Sequence, residues 1–422
     1  MKLKMNLKYI VSLVCWVMAT ITIQSQELDT YLKIAIQNSP QVKAAYSTFE
    51  AALQRTPQAN ALPDPMLTAS AFGKMMETRL GAQEARFTLM QTFPWFGTLG
   101  AKKEVSQQQA EAAFQNYLEV RNEVLLNVKK LYAELYLVDQ TVLLEEKNVN
   151  VLEQYRSLAL NAFENGKGSM ADVLRVDITI NKAKTNLALL QSRIAPMKAG
   201  FNAMLNRSIK EEVVISSMLP LKPLQERRYD ENLFSNNPRM SALQRQLASL
   251  EAQQQVVQKE GLPVVGLGVD YSILSKYDTM TMANNGQDAV MPMLSISLPI
   301  FRSKYKAKQK EVTFQVESKI HEQEALANSL MATYHMASFE EEQAHKLIAL
   351  YNKQIQIAQQ NLQLLLSAYS NSTEEFNEVL AVQQELLTYQ IELISQLKIA
   401  FVSQATIEFL LFDNTSENTD EN

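Results

Sequence analysis

Cysteine is almost absent from this sequence of 422 residues, since the only one is Cys15. Glycine and proline are also scarce, with 11 and 12 residues. A chain with one thiol can form neither a disulfide framework nor a thiolate metal site. Because glycine and proline interrupt helices and the abundant Gln, Ala, Leu, Glu and Lys favour them, the composition predicts a largely helical protein.

The sequence also lacks the signatures of nucleic-acid binders and of common enzymes. A net charge of −5 argues against a basic surface for phosphates. The three histidines, His321, His335 and His345, lie on one predicted helix, but no two are four residues apart, which argues against a zinc site. Gly266-x-Gly268 lacks the third glycine of a dinucleotide-binding loop, and no P-loop occurs. We therefore expect no enzyme, no bound metal and no cofactor.

Residues 1–25 have the pattern of an export signal. Lysines precede an apolar segment, Ile10–Ile23, which is about as long as the core of a signal peptide. It is shorter than the roughly 20 residues of a transmembrane helix, so a retained anchor is the weaker interpretation. We expect cleavage near residue 25, and the bulky neighbours of Cys15 argue against lipidation. No later apolar run is long enough for a spanning helix, so any membrane-embedded part is expected to consist of strands.

The rest of the chain repeats itself at an offset of roughly 200 residues. The segment AFENGKGSMADVL, Ala162–Leu174, is echoed by AYSNSTEEFNEVL, Ala368–Leu380. QTFPWFG, Gln91–Gly97, is echoed by SLPIF, Ser297–Phe301. We predict two tandem repeats, each with a helix, two strands and a long helical hairpin. The predicted order is signal peptide 1–25, first repeat 26–206, linker 207–230 on the outside, second repeat 231–412 and disordered acidic tail 413–422.

Four short segments alternate apolar and polar residues with the period of a β-strand. One apolar and one polar face is typical of transmembrane strands, although the edge of a soluble sandwich has the same pattern. Four strands are half of the about eight in the smallest closed barrels, and open strand edges cannot face lipid. If the strands span a membrane, three copies would give a barrel of twelve. The segments are Met66–Lys74, Arg86–Phe93, Val265–Ile273 and Met293–Ile300.

Two stretches almost free of proline and glycine predict very long helices. They run from Gly100 to about Glu164 and from Lys304 to about Ser370, each roughly 100 Å at 1.5 Å per residue. Apolar residues on the first form two stripes, which indicates packed neighbours on both sides. A short polar turn and a return helix follow each one, at about Met170–Asn206 and Glu374–Phe412. We therefore expect two antiparallel helical hairpins.

In this order, the motifs resemble those of the TolC-like outer membrane efflux proteins. They are the Asn-x-Pro helices at Asn38–Pro40 and Asn236–Pro238, LPDP at Leu62–Pro65, FPWFG at Phe93–Gly97 and the two hairpin turns. The resemblance implies a mainly α fold with a membrane β-barrel, in which three copies contribute four strands each to a twelve-stranded barrel continuous with a long α-helical barrel.

The resemblance also implies a location and partners. The protein would be a homotrimer in the bacterial outer membrane, extending into the periplasm. It would be the passive exit duct of a tripartite system, docked through a periplasmic adaptor to an inner-membrane pump of the RND type. Within the family, Met76–Gly97 is most similar to ducts for heavy-metal cations, which makes such cations or small toxic molecules the expected substrates.

Three groups of candidate site residues follow. Acidic residues beside the turns would form carboxylate rings at the periplasmic aperture, which favour cations; helix capping, worth about 0.3–1 kcal/mol, is the alternative. The turns would contact the adaptor, and aromatic residues at the strand–helix junctions would form a girdle at the membrane interface. The candidates are Asp172, Glu374, Glu375 and Glu378 for the aperture, Gly166, Gly168, Ser169, Asn371 and Thr373 for the adaptor, and Phe93, Trp95, Phe96 and Phe301 for the girdle.

Methionines are frequent near the predicted strand ends, as in Met75-Met76, Met280-x-Met282 and Met291-x-Met293. Their thioethers can bind Cu(I) or Ag(I), which suits a metal duct, but flexible apolar filling is the alternative. Two other functions also stay open. The same fold could export proteins or peptides in a type I-like system, or the chain could be a periplasmic coiled-coil adaptor, although adaptors usually have one hairpin and lipoyl-like β-domains.

Overall fold

The computed structural model describes residues 26–224, 233–278, 283–370 and 376–412. The order of helix, two strands and long helical hairpin occurs twice, as predicted, and the two longest helices have 67 and 69 residues. The first set is α1 Gln26–Asn38, α2 Pro40–Leu53, α3 Arg55–Ala59, β1 Met66–Thr78, β2 Gly81–Phe93, α4 Thr98–Glu164 and α5 Met170–Met204. The second is α6 Pro238–Glu260, β3 Val265–Ser275, β4 Ala289–Ile296, α7 Arg302–Ser370 and α8 Phe376–Leu411.

Several predictions concern residues outside the described ranges and stay predictions. They are the signal peptide with Cys15, the end of the linker, Met280 and Met282, the second turn with Asn371, Thr373, Glu374 and Glu375, and the tail 413–422. The described chain divides into two compact units. The helical unit contains the residues up to Ala44, Leu118–Asn237 and those from Ala327 onward. The sheet unit contains Ala45–Tyr117 and Pro238–Leu326.

Ion pairs between α4 and α5 show that the first hairpin of the helical unit is antiparallel. Arg156 of α4 lies 2.6 Å from Asp177, and Glu153, one turn earlier, lies 2.8 Å from Lys184. On another face, α4 contacts α8, where the Tyr155 hydroxyl donates to Gln383 at 3.4 Å. The predicted pair of packed neighbours for α4 is therefore present.

The core of the hairpin region combines all four long helices of the helical unit. Most of its members are less than a tenth exposed, and their spacing follows the apolar stripes of the sequence. The principal residues are Val149, Leu152 and Tyr155 of α4, Val173, Val176 and Ile180 of α5, Ala358, Leu362 and Tyr369 of α7, and Phe376, Val379 and Leu386 of α8. By length and composition α8 alone among the described helices could cross a membrane. Its many buried apolar residues are an equally good reason for that composition.

The described start of the predicted linker packs closely against α1 and α4 within the helical unit. Val213 and Leu219 are 2% and 8% exposed, so the segment, which was expected to be polar, buries apolar side chains. The backbone N–H of Ser216 donates to the Tyr132 hydroxyl at 2.9 Å, and that of Val214 to the Tyr31 hydroxyl at 2.9 Å. We call residues 207–224 the strap; it is anchored to α1 and α4 by these hydrogen bonds.

The sheet unit contains one antiparallel sheet in the order β1–β2–β3–β4. The observed strands differ from the predicted segments by at least four residues at four ends. β2 begins at Gly81 rather than Arg86, and β4 begins at Ala289 rather than Met293. A register shift between Ala71 and Met76 lets β1 continue to Thr78 rather than end near Lys74. The last strand ends at Ile296 rather than Ile300, because Ser297 closes the ladder with Val264 and Pro299 has no N–H to continue it.

Candidate functional site

The two faces of the sheet differ in chemistry, as the alternation predicts. Residues directly opposite each other in antiparallel strands lie on the same face, so Leu67, Leu89 and Val269 share one face across three strands. Leu67 is 66% exposed and Leu294 of β4 is likewise 66% exposed. A row of exposed, branched apolar side chains on one face suits contact with lipid.

The opposite face carries a buried and fully partnered charge. The Asp270 side chain is only 2% exposed; it accepts from Arg86 Nε at 2.5 Å and from the Thr88 hydroxyl at 3.1 Å. The Ser272 hydroxyl is 3.4 Å from its other oxygen. A carboxylate buried to this extent is stable only with such partners, so this is an organised polar surface.

The outer strands of the sheet are β1 and β4, and within the described ranges neither pairs along its outer side. The N–H and C=O groups of such an edge each cost several kcal/mol when they face hydrocarbon. One chain therefore combines an apolar face that suits lipid with two open strand edges that cannot face lipid. Only additional strands can reconcile the two features.

The predicted girdle lies where the strands give way to the long helices. β2 ends at Phe93, Gly97 takes a left-handed φ of 78°, and α4 starts at Thr98, whereas Gly100 lies inside α4. Phe96 is 86% exposed, Trp95 packs edge-on against it with ring centroids 6.1 Å apart, and Phe301 at the second junction is 77% exposed. Phe93 is partly buried in the sheet.

The first hairpin turn ends α4 with a Schellman motif. The Lys167 N–H donates to the Ala162 carbonyl at 2.8 Å, and the Gly166 N–H donates to the Phe163 carbonyl at 2.9 Å. Gly166 has a φ of 70°, which side chains other than glycine rarely adopt. The turn-forming function of this glycine follows directly from the sequence.

The next residues start α5 with a capping box. The Asp172 carboxylate accepts from the Ser169 N–H at 3.2 Å and from its hydroxyl at 3.0 Å, while Ser169 Oγ accepts from the Asp172 N–H at 3.2 Å. The structure thus shows the capping function of Asp172. Its function at an aperture, and that of the exposed Glu378 in the first turn of α8, stay predictions.

Two aromatic residues beside the turn were missed by the sequence analysis. Tyr369 and Phe376 pack with ring centroids 4.7 Å apart, and a Cβ at Gly168 would lie 3.1 Å from the Tyr369 hydroxyl. Burial raises the pKa of Tyr369, and the negative charge of Asp172 raises it further. The aromatic residue that recurs in AFEN and AYSN was the sequence signal for Tyr369. Its packing partners could not be predicted, because they depend on how the helices pack.

Comparison with known proteins identifies the family of the chain. The sequence profile of the outer membrane efflux proteins matches residues 31–206 and 231–411. The chain belongs to the outer membrane efflux protein family. This membership confirms the predicted family and confirms that the chain is a transport protein rather than an enzyme, and it favours the outer-membrane interpretation over a periplasmic adaptor.

The following three relatives each share less than a quarter of their aligned residues with this chain. It is 23% identical to the protein CyaE of Bordetella pertussis over 282 residues, which are 64% of this chain and 59% of CyaE. The outer membrane protein VceC of Vibrio cholerae superposes with a TM-score of 0.75 at 17% identity, covering 92% of this chain and 96% of VceC. CusC, described as forming a transmembrane channel, gives 0.78 at 15% identity and covers 92% of each chain. These structures confirm the predicted fold class.

Proposed function

We propose that three copies of this chain form a passive outer-membrane exit duct for heavy-metal cations or small toxic molecules. An inner-membrane pump would deliver the cargo through a periplasmic adaptor. The observation that carries the proposal is the four-stranded sheet, with one apolar face and two open edges. Family membership supports transport at the outer membrane, whereas the copy number, the cargo and the partners are inferred.

Barrel geometry favours three copies over two. Two copies of the four strands would give eight, and in a barrel of about eight strands the side chains fill the interior. Three copies would give twelve, which leaves an aqueous channel lined by the polar face. That face carries the Arg86–Asp270 ion pair, and polar interiors are typical of water-filled barrels.

The hairpin turn supplies the proposed contacts with the adaptor. Gly166, Gly168 and Ser169 form a compact turn whose conformation is held by its own hydrogen bonds. A rigid and partly exposed turn is suited to repeated docking because little conformational entropy is lost on binding. We further propose that Glu378, one of the acidic residues beside the second turn, contributes to a carboxylate ring at the aperture.

Deletion of the gene tests the function. Cells without the protein should become more sensitive to at least one toxic cation or drug, and complementation should restore tolerance. Unchanged tolerance to a broad panel of both classes would contradict the proposal. Loss of an exported protein or peptide, without any change in tolerance, would instead favour a secretion duct.

The aperture is tested by Glu378→Gln in planar bilayers. We expect lower selectivity for cations, because neutralising one residue per copy removes a full ring of charge. Glu385→Gln is the matched control, since Glu385 is an exposed residue of the same helix that lies two helical turns further from the hairpin end. Equal effects of the two substitutions would refute a special function of Glu378.

A further inference from the structure

Three methionines lie in one row across the four-stranded sheet. Met66 of β1 is paired with Met90 of β2, Met90 with Gly268 of β3, and Gly268 with Met293 of β4. Directly paired residues of antiparallel strands project to the same face. The row therefore presents three thioethers on one side of the sheet, with a glycine between the second and the third.

This side is the polar face, which an apolar filler would not favour. The neighbouring row contains Thr88 and Asp270, paired with each other. Among the paired residues of the described strands, every methionine is on this face and none is on the face of Leu67 and Leu89. If the residues only filled space, the lipid-facing side would be the expected place for them. The methionines are Met66, Met76, Met90, Met291 and Met293.

The side chain of Met90 already reaches across β3. A Cβ added to Gly266 or Gly268 would lie 3.2 Å or 3.1 Å from its sulfur, so the thioether occupies the space that the two glycines leave open. Its Sδ is 3.9 Å from the Ser295 hydroxyl of β4. Because adjacent strands are about 4.8 Å apart, the flexible side chains of Met90 and Met293 can meet above Gly268.

We propose that Met90 and Met293, with Met66 beside them, form a binding site for a soft monovalent metal ion of the Cu(I) or Ag(I) class. Thioether sulfur is a soft ligand that selects such ions over hard cations. The inference rests on the proposed function, since the row faces the duct interior only if the polar face turns inward in a closed barrel. It narrows the expected cargo from toxic cations in general to soft cations.

Silver ion is the suitable probe, because it is soft and needs no reductant. The full chain is purified from outer membranes in detergent, in nitrate buffer without chloride. Bound silver is measured by equilibrium dialysis, and peroxide oxidation of individual methionines is followed by mass spectrometry with and without silver. The test variant is Met90→Leu/Met293→Leu, which removes both thioethers with little change in volume. The control is Met218→Leu/Met336→Leu, at residues that are 66% and 59% exposed in the helical unit.

We expect saturable binding of silver to the wild type and the control, and loss of one bound ion per chain in the test variant. Silver should slow the oxidation of Met90 and Met293 in the wild type by about tenfold or more. Absence of protection, or equal binding by the test variant, would overturn the site.

Copy number and bilayer conductance, measured on the same samples, separate the two proposals. A conducting trimer that binds no silver at this row refutes the site alone. A protein that neither assembles nor conducts refutes the proposed duct and, with it, the lumenal site. The oxidation measurement on the wild type keeps the test decisive if the double variant fails to assemble.

Discussion

Replacing Tyr132 with Phe tests how the strap is anchored to α4 within the helical unit. Tyr132 is 1% exposed, and its hydroxyl accepts the backbone N–H of Ser216, which is itself 8% exposed. Its ring packs 6.3 Å from the rings of both Tyr31 and Phe201. Because Tyr132→Phe keeps the ring, no cavity is created, and the change removes one acceptor from a buried donor.

The expected magnitude follows from the donor that is left behind. A buried N–H without a partner costs about 1–3 kcal/mol, which corresponds to roughly 5–150-fold in the equilibrium for local opening. Burial raises the pKa of Tyr132 to about 12, although the hydrogen bond from Ser216 opposes the rise. The hydroxyl is therefore neutral at pH 7. Stability that depends on this neutral form should be lost as the pH rises from the ordinary value of 10 through 12.

Amide hydrogen exchange of the strap is the assay, because it measures local opening directly. In Tyr132→Phe, the protection of the amides around Ser216 should fall by roughly 5–150-fold. Tyr136→Phe is the matched control: Tyr136 lies one turn later in α4 and is 4% exposed, and its hydroxyl has no protein hydrogen bond within the described ranges. Unchanged protection in Tyr132→Phe, or an equal loss in both variants, would contradict anchoring of the strap by the Tyr132 hydroxyl.

Two further substitutions test the strap and the hairpin turn. Burial raises the pKa of Glu408, but Lys129 and Lys222, at 2.8 and 2.6 Å, lower it more, so that the net pKa is below the ordinary 4.5. The stabilisation by these two ion pairs should be present above pH 4.5 and lost as the pH falls through the pKa of the folded state. Glu408→Gln should abolish this part of the pH dependence of thermal unfolding. Gly166→Ala forces alanine into a left-handed conformation and should destabilise the protein by about 1–2 kcal/mol, measured by thermal unfolding followed by circular dichroism. The control is Gly200→Ala inside α5, where an added Cβ has open space; it should be neutral or stabilising by up to about 1 kcal/mol. A larger loss of stability in Gly200→Ala than in Gly166→Ala would contradict the assignment of the turn.

Features that depend on a local pattern could be predicted from the sequence. The alternation in Val265–Ile273 predicts its two faces, because the period of a strand is set by the backbone. The glycine at 166 predicts the end of α4, since few other residues accept its conformation. The long helices are predicted to within a few residues of their observed bounds, because the absence of proline and glycine needs no tertiary information.

Features that depend on partners distant in the sequence could not be predicted. Arg86 and Asp270 meet only because β2 and β3 pair in one particular register, and a shift by one residue would place them on opposite faces. The same holds for the row of Met66, Met90 and Met293. Composition showed that methionines are frequent, but their alignment depends on three strand registers. Capping by Asp172 also had to be observed in the structure, because a carboxylate in the first turn of a helix is compatible with both helix capping and a position at the aperture.

In the proposed duct, the open edges of β1 and β4 are closed by other copies of the chain. Native mass spectrometry of the protein extracted from outer membranes measures the copy number directly. We expect one species of three copies that dissociates to single chains on heating. A single-copy species, or recovery of the protein as a soluble monomer from the periplasm, would contradict it.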